Sequence, residues 1–100
     1  MDIAKLRYYC LNERHPRGRH KAHVFASVLG LTRDDADVLR SALLKAARDN
    51  EAMLGDGDDY GQRYVLEFQT SGPSGQARVR SSWIVLTGED IPRMTSCYVI

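Results

Sequence analysis

Cysteine is scarce in this chain: Cys10 and Cys97 stand near opposite ends. One distant pair builds no secreted disulfide framework and fits no zinc-ligand spacing, so both are read as buried, reduced thiols. Long hydrophobic runs are missing as well. None approaches the roughly 20 residues a membrane-spanning helix needs, so no membrane partner is expected. Met1 to Arg14, MDIAKLRYYCLNER, has neither an uninterrupted apolar stretch nor a small-residue cleavage site. A signal peptide is therefore not expected, and a cytoplasmic location is. Overall basicity is absent too, the net charge being only +1. The glycine patterns of nucleotide-binding loops and the GxSxG elbow do not occur, and GPSG at 72–75 reads as a turn. Asp56, Asp58 and Asp59 lack the spacing and terminal glutamate of a calcium loop. No metal site and no cofactor is expected.

What is present is an ordinary globular composition, 43% hydrophobic and 27% charged over 100 residues. That length makes a single domain, 1–100, with one modest core. The first half reads as helices. Ile3 to Leu11 is one short helix, and LNERHPRG is a turn-rich connector. Ala22, Phe25, Ala26 and Leu29 form the i, i+3, i+4, i+7 stripe of a buried helix face, closed by Gly30. Thr32 opens a third helix with Asp34 and Asp35 in its first turn, running to about Asp49 with Leu39, Leu43, Ala46 and Ala47 inward. Residues 50–61, rich in Asp and Gly, read as a loop.

From Gln62 the period becomes two. Tyr64, Leu66 and Phe68 alternate with Val65, Glu67 and Gln69. On the next strand Ala77, Val79, Ser81, Trp83 and Val85 share one face, and Arg78, Arg80, Ser82, Ile84 and Leu86 the other. RMTSCYVI is a final strand, with Thr95 and Cys97 on one face and Ser96 and Tyr98 on the other. The expected fold is α+β: about three N-terminal helices, then an antiparallel meander of three to four strands. Helices cover one sheet face, and the other is free for ligands.

Charge is concentrated where the totals hide it. Arg14 to Arg33 contains no acid, and its first ten residues hold Arg14, Arg17, Arg19, Lys21 and all three histidines, His15, His20 and His23. Such a cluster suits a phosphate. If Gly18 or Arg19 begins the second helix, free N–H groups of the first turn add to the site, beside histidines able to move protons near neutral pH. A solvated basic loop accounts for the same charges. Arg78, Arg80 and Ser82, beside the hydroxyls of the last strand, can orient a phosphodiester or simply pair across a wet sheet face. His20 and His23 permit joint metal ligation, but no local residue completes a site.

The run KLxxYxLNxxHPxGxHKAxVFxxxLGLT, read from Lys5 to Thr32, resembles an uncharacterised bacterial domain family, with Tyr9 and Cys10 shifting the spacing before Leu11 and Asn12. The likeness continues at YGQRYVLEF, VRSSWIV and PRMTSCYV. Domains of this kind resemble C-terminal effector modules of bacterial polymorphic toxins, and the layout is similar to the barnase–EndoU–colicin–RelE class of metal-independent ribonucleases. The resemblance implies attack of an RNA 2′-hydroxyl on its own phosphate. His15 or His20 would act as base or acid, Lys21 and Arg80 would stabilise charge, and Thr95 or Ser96 would orient the phosphate. Arg17, Gly18, Arg19, Arg78, Ser82 and Tyr98 would line the substrate path. RNA and a cognate antitoxin or immunity protein are the implied partners. The alternative is a non-catalytic, partner-binding module of a toxin–antitoxin or immunity pair. The near-zero net charge favours it, because nonspecific RNA binders are more basic.

Overall fold

In the computed structural model, residues 3–100 are described. Helical segments come first and a four-stranded antiparallel sheet follows, an α+β fold. Helix α1 (Ile3–Lys5) continues as a π-helical turn over Leu6–Cys10, burying Leu6 and Cys10. Asn12 then turns the chain, its Oδ1 accepting from the Arg14 N–H at 3.0 Å. Helix α2 (Arg19–Val24) widens into a second π-helical turn over Phe25–Leu29. Ala22, Phe25 and Leu29 are fully buried, and Ala26 is half-buried. Gly30 ends this helix with φ of 72°, a left-handed conformation that glycine adopts without steric cost. A 3-10 turn (Arg33–Asp35) leads into α3 (Ala36–Asp49), and the Asp35 carboxylate accepts from the Thr32 N–H at 2.9 Å.

The strands are β1 (Met53–Gly57), β2 (Gly61–Gly72), β3 (Gly75–Leu86) and β4 (Arg93–Val99), in spatial order β1-β2-β3-β4. β1 falls where a loop was expected. All five of its residues are exposed, so it shows no apolar alternation, and its two glycines further obscure it. It is a strand because β2 offers it a free backbone edge, and its pairing slips between Leu54 and Gly57. A tight turn at 73–74 sets Gly72 opposite Gly75, which dictates the whole β2–β3 register. The Ser74 N–H in that turn donates to the Leu29 carbonyl at 3.2 Å, tying the hairpin to the end of the α2 segment.

The β3–β4 register holds a second departure. Ser82 faces Ser96 but Trp83 faces Met94, so Thr95 is an extra, bulged residue. The bulge turns both Met94 and Cys97 into the core and leaves Thr95 exposed, rather than on the face of Cys97 as strict alternation predicts. The core lies between the helices and the inner sheet face: Leu6, Phe25, Leu29, Leu39 and Leu43 meet Leu66, Phe68, Val79 and Trp83. Ser81 is also fully buried. Its Oγ donates to the Leu66 carbonyl at 3.0 Å and accepts from Trp83 Nε1 at 2.9 Å, so both polar groups of the pair are satisfied. Ala47, expected to face inward, is exposed. Among the described residues, no helix is long and apolar enough to cross a membrane.

Candidate functional site: a cation–tyrosine cluster on the outer sheet face

Strand alternation sends Glu67, Arg80, Ser82, Ser96 and Tyr98 to the face opposite the helices. Register then places Glu67 across from Arg80, Arg80 across from Tyr98, and Ser82 across from Ser96. Arg80 Nε donates to Glu67 Oε2 at 2.9 Å, and Arg78 Nε donates to Glu67 Oε1 at 3.4 Å. From its other side Arg80 Nη1 donates to the Tyr98 hydroxyl at 3.3 Å. Because β4 is an edge strand, α2 also reaches Tyr98: the Lys21 ammonium stands 4.5 Å from the centre of its ring. The Arg80 guanidinium carbon is 5.9 Å from the same centre. Two cations from distant parts of the chain thus converge on one phenol, which the ring's electron-rich face favours.

Electrostatics follow from these contacts. The hydrogen bond from Arg80, followed by its charge and then Arg78, holds the Glu67 carboxyl below its usual value. The hydrogen bond to Tyr98, then the contacts with Glu67, raises Arg80 further and keeps it charged. Arg80 spends Nε on Glu67 and Nη1 on Tyr98, on the face that also carries Ser82 and Ser96.

The other candidate residues are placed differently. His15 Nδ1 accepts from the N–H groups of Arg17 at 3.1 Å and Gly18 at 3.2 Å. A neutral imidazole so engaged carries its hydrogen on Nε2. The ring also packs edge-on against Tyr9, with centroids 4.6 Å apart. The Arg19 N–H donates to the His15 carbonyl at 3.0 Å. Of the first-turn amides expected to stand open for a phosphate, those of Gly18 and Arg19 are therefore taken by His15, as is the Arg17 amide before them. Gly18 is buried where the start of α2 meets the π-helical turn of Leu6–Cys10, and a Cβ there would lie 2.8 Å from the Tyr9 carbonyl oxygen. Arg17, Arg19 and His20 are exposed, and Thr95 projects from its bulge. His23 meets Ser27 Oγ at 3.3 Å instead of joining His20. Among the described residues, no three His, Cys, Asp or Glu side chains cluster as metal ligands would.

Direct contact therefore joins Lys21, Arg80 and Tyr98. Arg78 is tied to them through Glu67, and Ser82 and Ser96 share their face. Glu67 was absent from the sequence-derived candidates although its signal was present: a tight turn at 73–74 forces it opposite Arg80. A second unforeseen feature is an open groove of about 540 Å³ on the inner side, between Leu44 and Ala47 of α3, Tyr64 and Trp83 of the sheet, and Ile91 of the β3–β4 connector.

A family model described as a domain of unknown function, DUF6883, matches residues 1–100. The chain belongs to this family. Among curated proteins none matches its sequence significantly. The fold of this family member is similar to that of one chain in a solved contact-dependent growth inhibition toxin–immunity protein complex from Klebsiella pneumoniae 342. The two share 19% identity with a TM-score of 0.75, over 99% of this chain and 97% of the other. At that identity the likeness concerns the fold.

Proposed function

We propose that this domain is the effector half of a toxin–immunity pair and that it cleaves RNA on its outer sheet face without a metal ion. The observation that carries the reading is the convergence of Lys21 and Arg80 on Tyr98, beside Ser82 and Ser96. A fold shared with a component of a toxin–immunity complex supports it.

The chemistry is a transesterification. The 2′-oxygen bonds to phosphorus while the bond from phosphorus to the 5′-oxygen breaks. His20, one residue before Lys21 on an exposed helical turn, takes the 2′-hydroxyl proton. Tyr98 returns a proton to the departing 5′-oxygen: its oxygen already accepts from Arg80, so its own O–H is free to donate. Lys21 and Arg80 carry the charge that builds on the phosphoryl oxygens. Ser82 and Ser96 hold the phosphate by hydrogen bonds. His15, with Nδ1 committed to two backbone amides, shapes the connector, and Arg17 and Arg19 extend the cationic path for the strand.

The test is cleavage of purified tRNA and mRNA in chelator. Cleavage should persist there, and Lys21→Ala or Arg80→Ala should slow it about 10²–10³-fold, the usual cost of losing one preorganised charge-stabilising group. RNA left intact by the unaltered domain sinks the proposal. One observation favours the second reading, a non-catalytic partner-binding module: Glu67 offsets charge on both Arg78 and Arg80. Intact RNA together with tight binding to a cognate protein would establish that reading.

A further inference from the structure

We propose that the inner groove, continued by the free edge of β1, is the docking site of a partner protein that presents apolar side chains flanked by Lys and Arg. The groove floor is built from Leu66 and Trp83, and its rim from Leu44 and Ile91. Ile91 is 70% exposed. Leu54 extends the same surface: it pairs across β1–β2 with Tyr64, whose ring lines the groove, and it is 73% exposed. A single apolar residue at a surface is ordinary, but a concave apolar patch reaching an open sheet edge is what interaction sites present. Among the described residues β1 pairs only with β2, so its outer edge can accept an added strand.

Charge decides what kind of chain fits. From Asp49 to Gln62 there are five acids, Asp49, Glu51, Asp56, Asp58 and Asp59, and no Lys or Arg. Of the nearby cations, Arg63 holds Asp58 at 2.7 Å, Arg93 holds Glu89 at 2.8 Å and Arg48 stands 4.0 Å from Asp49, which leaves Lys45, beside Leu44, against a larger number of acids. Glu51, beside Ala52 on the groove wall, and Asp90, beside Ile91, form no ion pair among the described residues. An occupant bringing Lys or Arg next to its apolar anchors satisfies both features, and an acidic occupant is repelled. The groove lies on the helix side of the sheet, whereas Lys21, Arg80 and Tyr98 meet beyond the other face. A partner seated here leaves that cluster uncovered.

Trp83 is the only tryptophan and lies in the groove floor, so its emission reports occupancy. The probes are three synthetic peptides of equal length, alternating Leu/Lys, Leu/Glu and Ser/Lys. The Leu/Lys peptide should change Trp83 emission saturably and bind more weakly in about 0.5 M salt, where surface charges are screened. Leu44→Asp and Ile91→Asp, at exposed positions, should each weaken binding at least about tenfold, as loss of one anchor does. Their circular dichroism should stay native, and Lys21→Ala should bind normally. The proposal is overturned by no saturable response, by equal binding of the Leu/Glu or Ser/Lys peptide, or by native-like Ile91→Asp binding normally. Sedimentation showing self-association of the unaltered chain that Ile91→Asp abolishes overturns it too, making a second copy the occupant. Cleavage of RNA, measured separately on Ile91→Asp, is independent of these outcomes.

Discussion

Ser81→Ala separates the scaffold from the outer face more cleanly than any other single change. Ser81 is fully buried and makes two bonds, donating to the Leu66 carbonyl at 3.0 Å and accepting from Trp83 Nε1 at 2.9 Å. Removing the hydroxyl strands the indole N–H in a nearly dry site. An orphaned buried donor costs about 1–3 kcal/mol. With the lost bond to Leu66 included, the expected destabilisation is about 2 kcal/mol. For a domain of this size each kcal/mol is worth about 4–8 °C, so the midpoint should fall by roughly 8–16 °C. The assay is urea and thermal unfolding followed by circular dichroism. Ser82→Ala, one residue away but outward, should change stability by no more than about 0.5 kcal/mol. In a Trp83→Phe background the N–H is gone, and Ser81→Ala should cost at least about 1 kcal/mol less. If Ser81→Ala is neutral, or costs the same with Phe at 83, the hydroxyl is not satisfying the indole and the reasoning fails.

Two further outcomes follow from the shifted groups. Glu67 titrates below its ordinary value of 4.5 because Arg80 hydrogen-bonds it, so its ion pairs add stability above that value and lose it as pH falls through the lowered one. Glu67→Gln should therefore flatten the acid limb of stability against pH, and an unchanged limb would refute the clamp. Burial is the main cause raising both thiols, Cys10 and Cys97, so each stays protonated near neutral pH. A thiol reagent should label neither in the native protein and both in denaturant, and rapid native labelling would contradict the burial.

How much was readable from the residues depended on whether the pattern was local. The Ala22–Phe25–Leu29 stripe announced its own burial because helical period and apolar spacing coincide. Tyr64, Leu66 and Phe68 did the same at period two. β1 stayed hidden because Met53, Leu54, Gly55, Asp56 and Gly57 are all exposed, and the edge of β2 supplies the reason they extend. Thr95 was misplaced because a one-residue bulge breaks the alternation, although Met94 and Cys97, apolar at odd spacing, carried the hint. At the candidate site, Lys21, Arg80 and Tyr98 were each identifiable as polar residues in useful places. Their meeting was not, since it needs the edge position of β4 and the seating of α2 beside it. His15 shows the opposite case. Its type suggested proton transfer, while the turn it closes assigns Nδ1 to the Arg17 and Gly18 amides.

By itself, then, the sequence determined the succession of helices followed by β2, β3 and β4, the core stripes of α2 and β2, the turn between β2 and β3 and the cationic stretch from Arg14 to Arg33. These rest on periodicity and turn chemistry, which act between near neighbours in the chain. Tertiary structure alone decided that Lys21 and Arg80 share the Tyr98 ring, that Glu67 clamps Arg78 and Arg80, and that an apolar groove opens beside α3. Those depend on how twisted strands and packed helices meet in space, where one bulge or one free edge redirects a side chain and no local pattern records it.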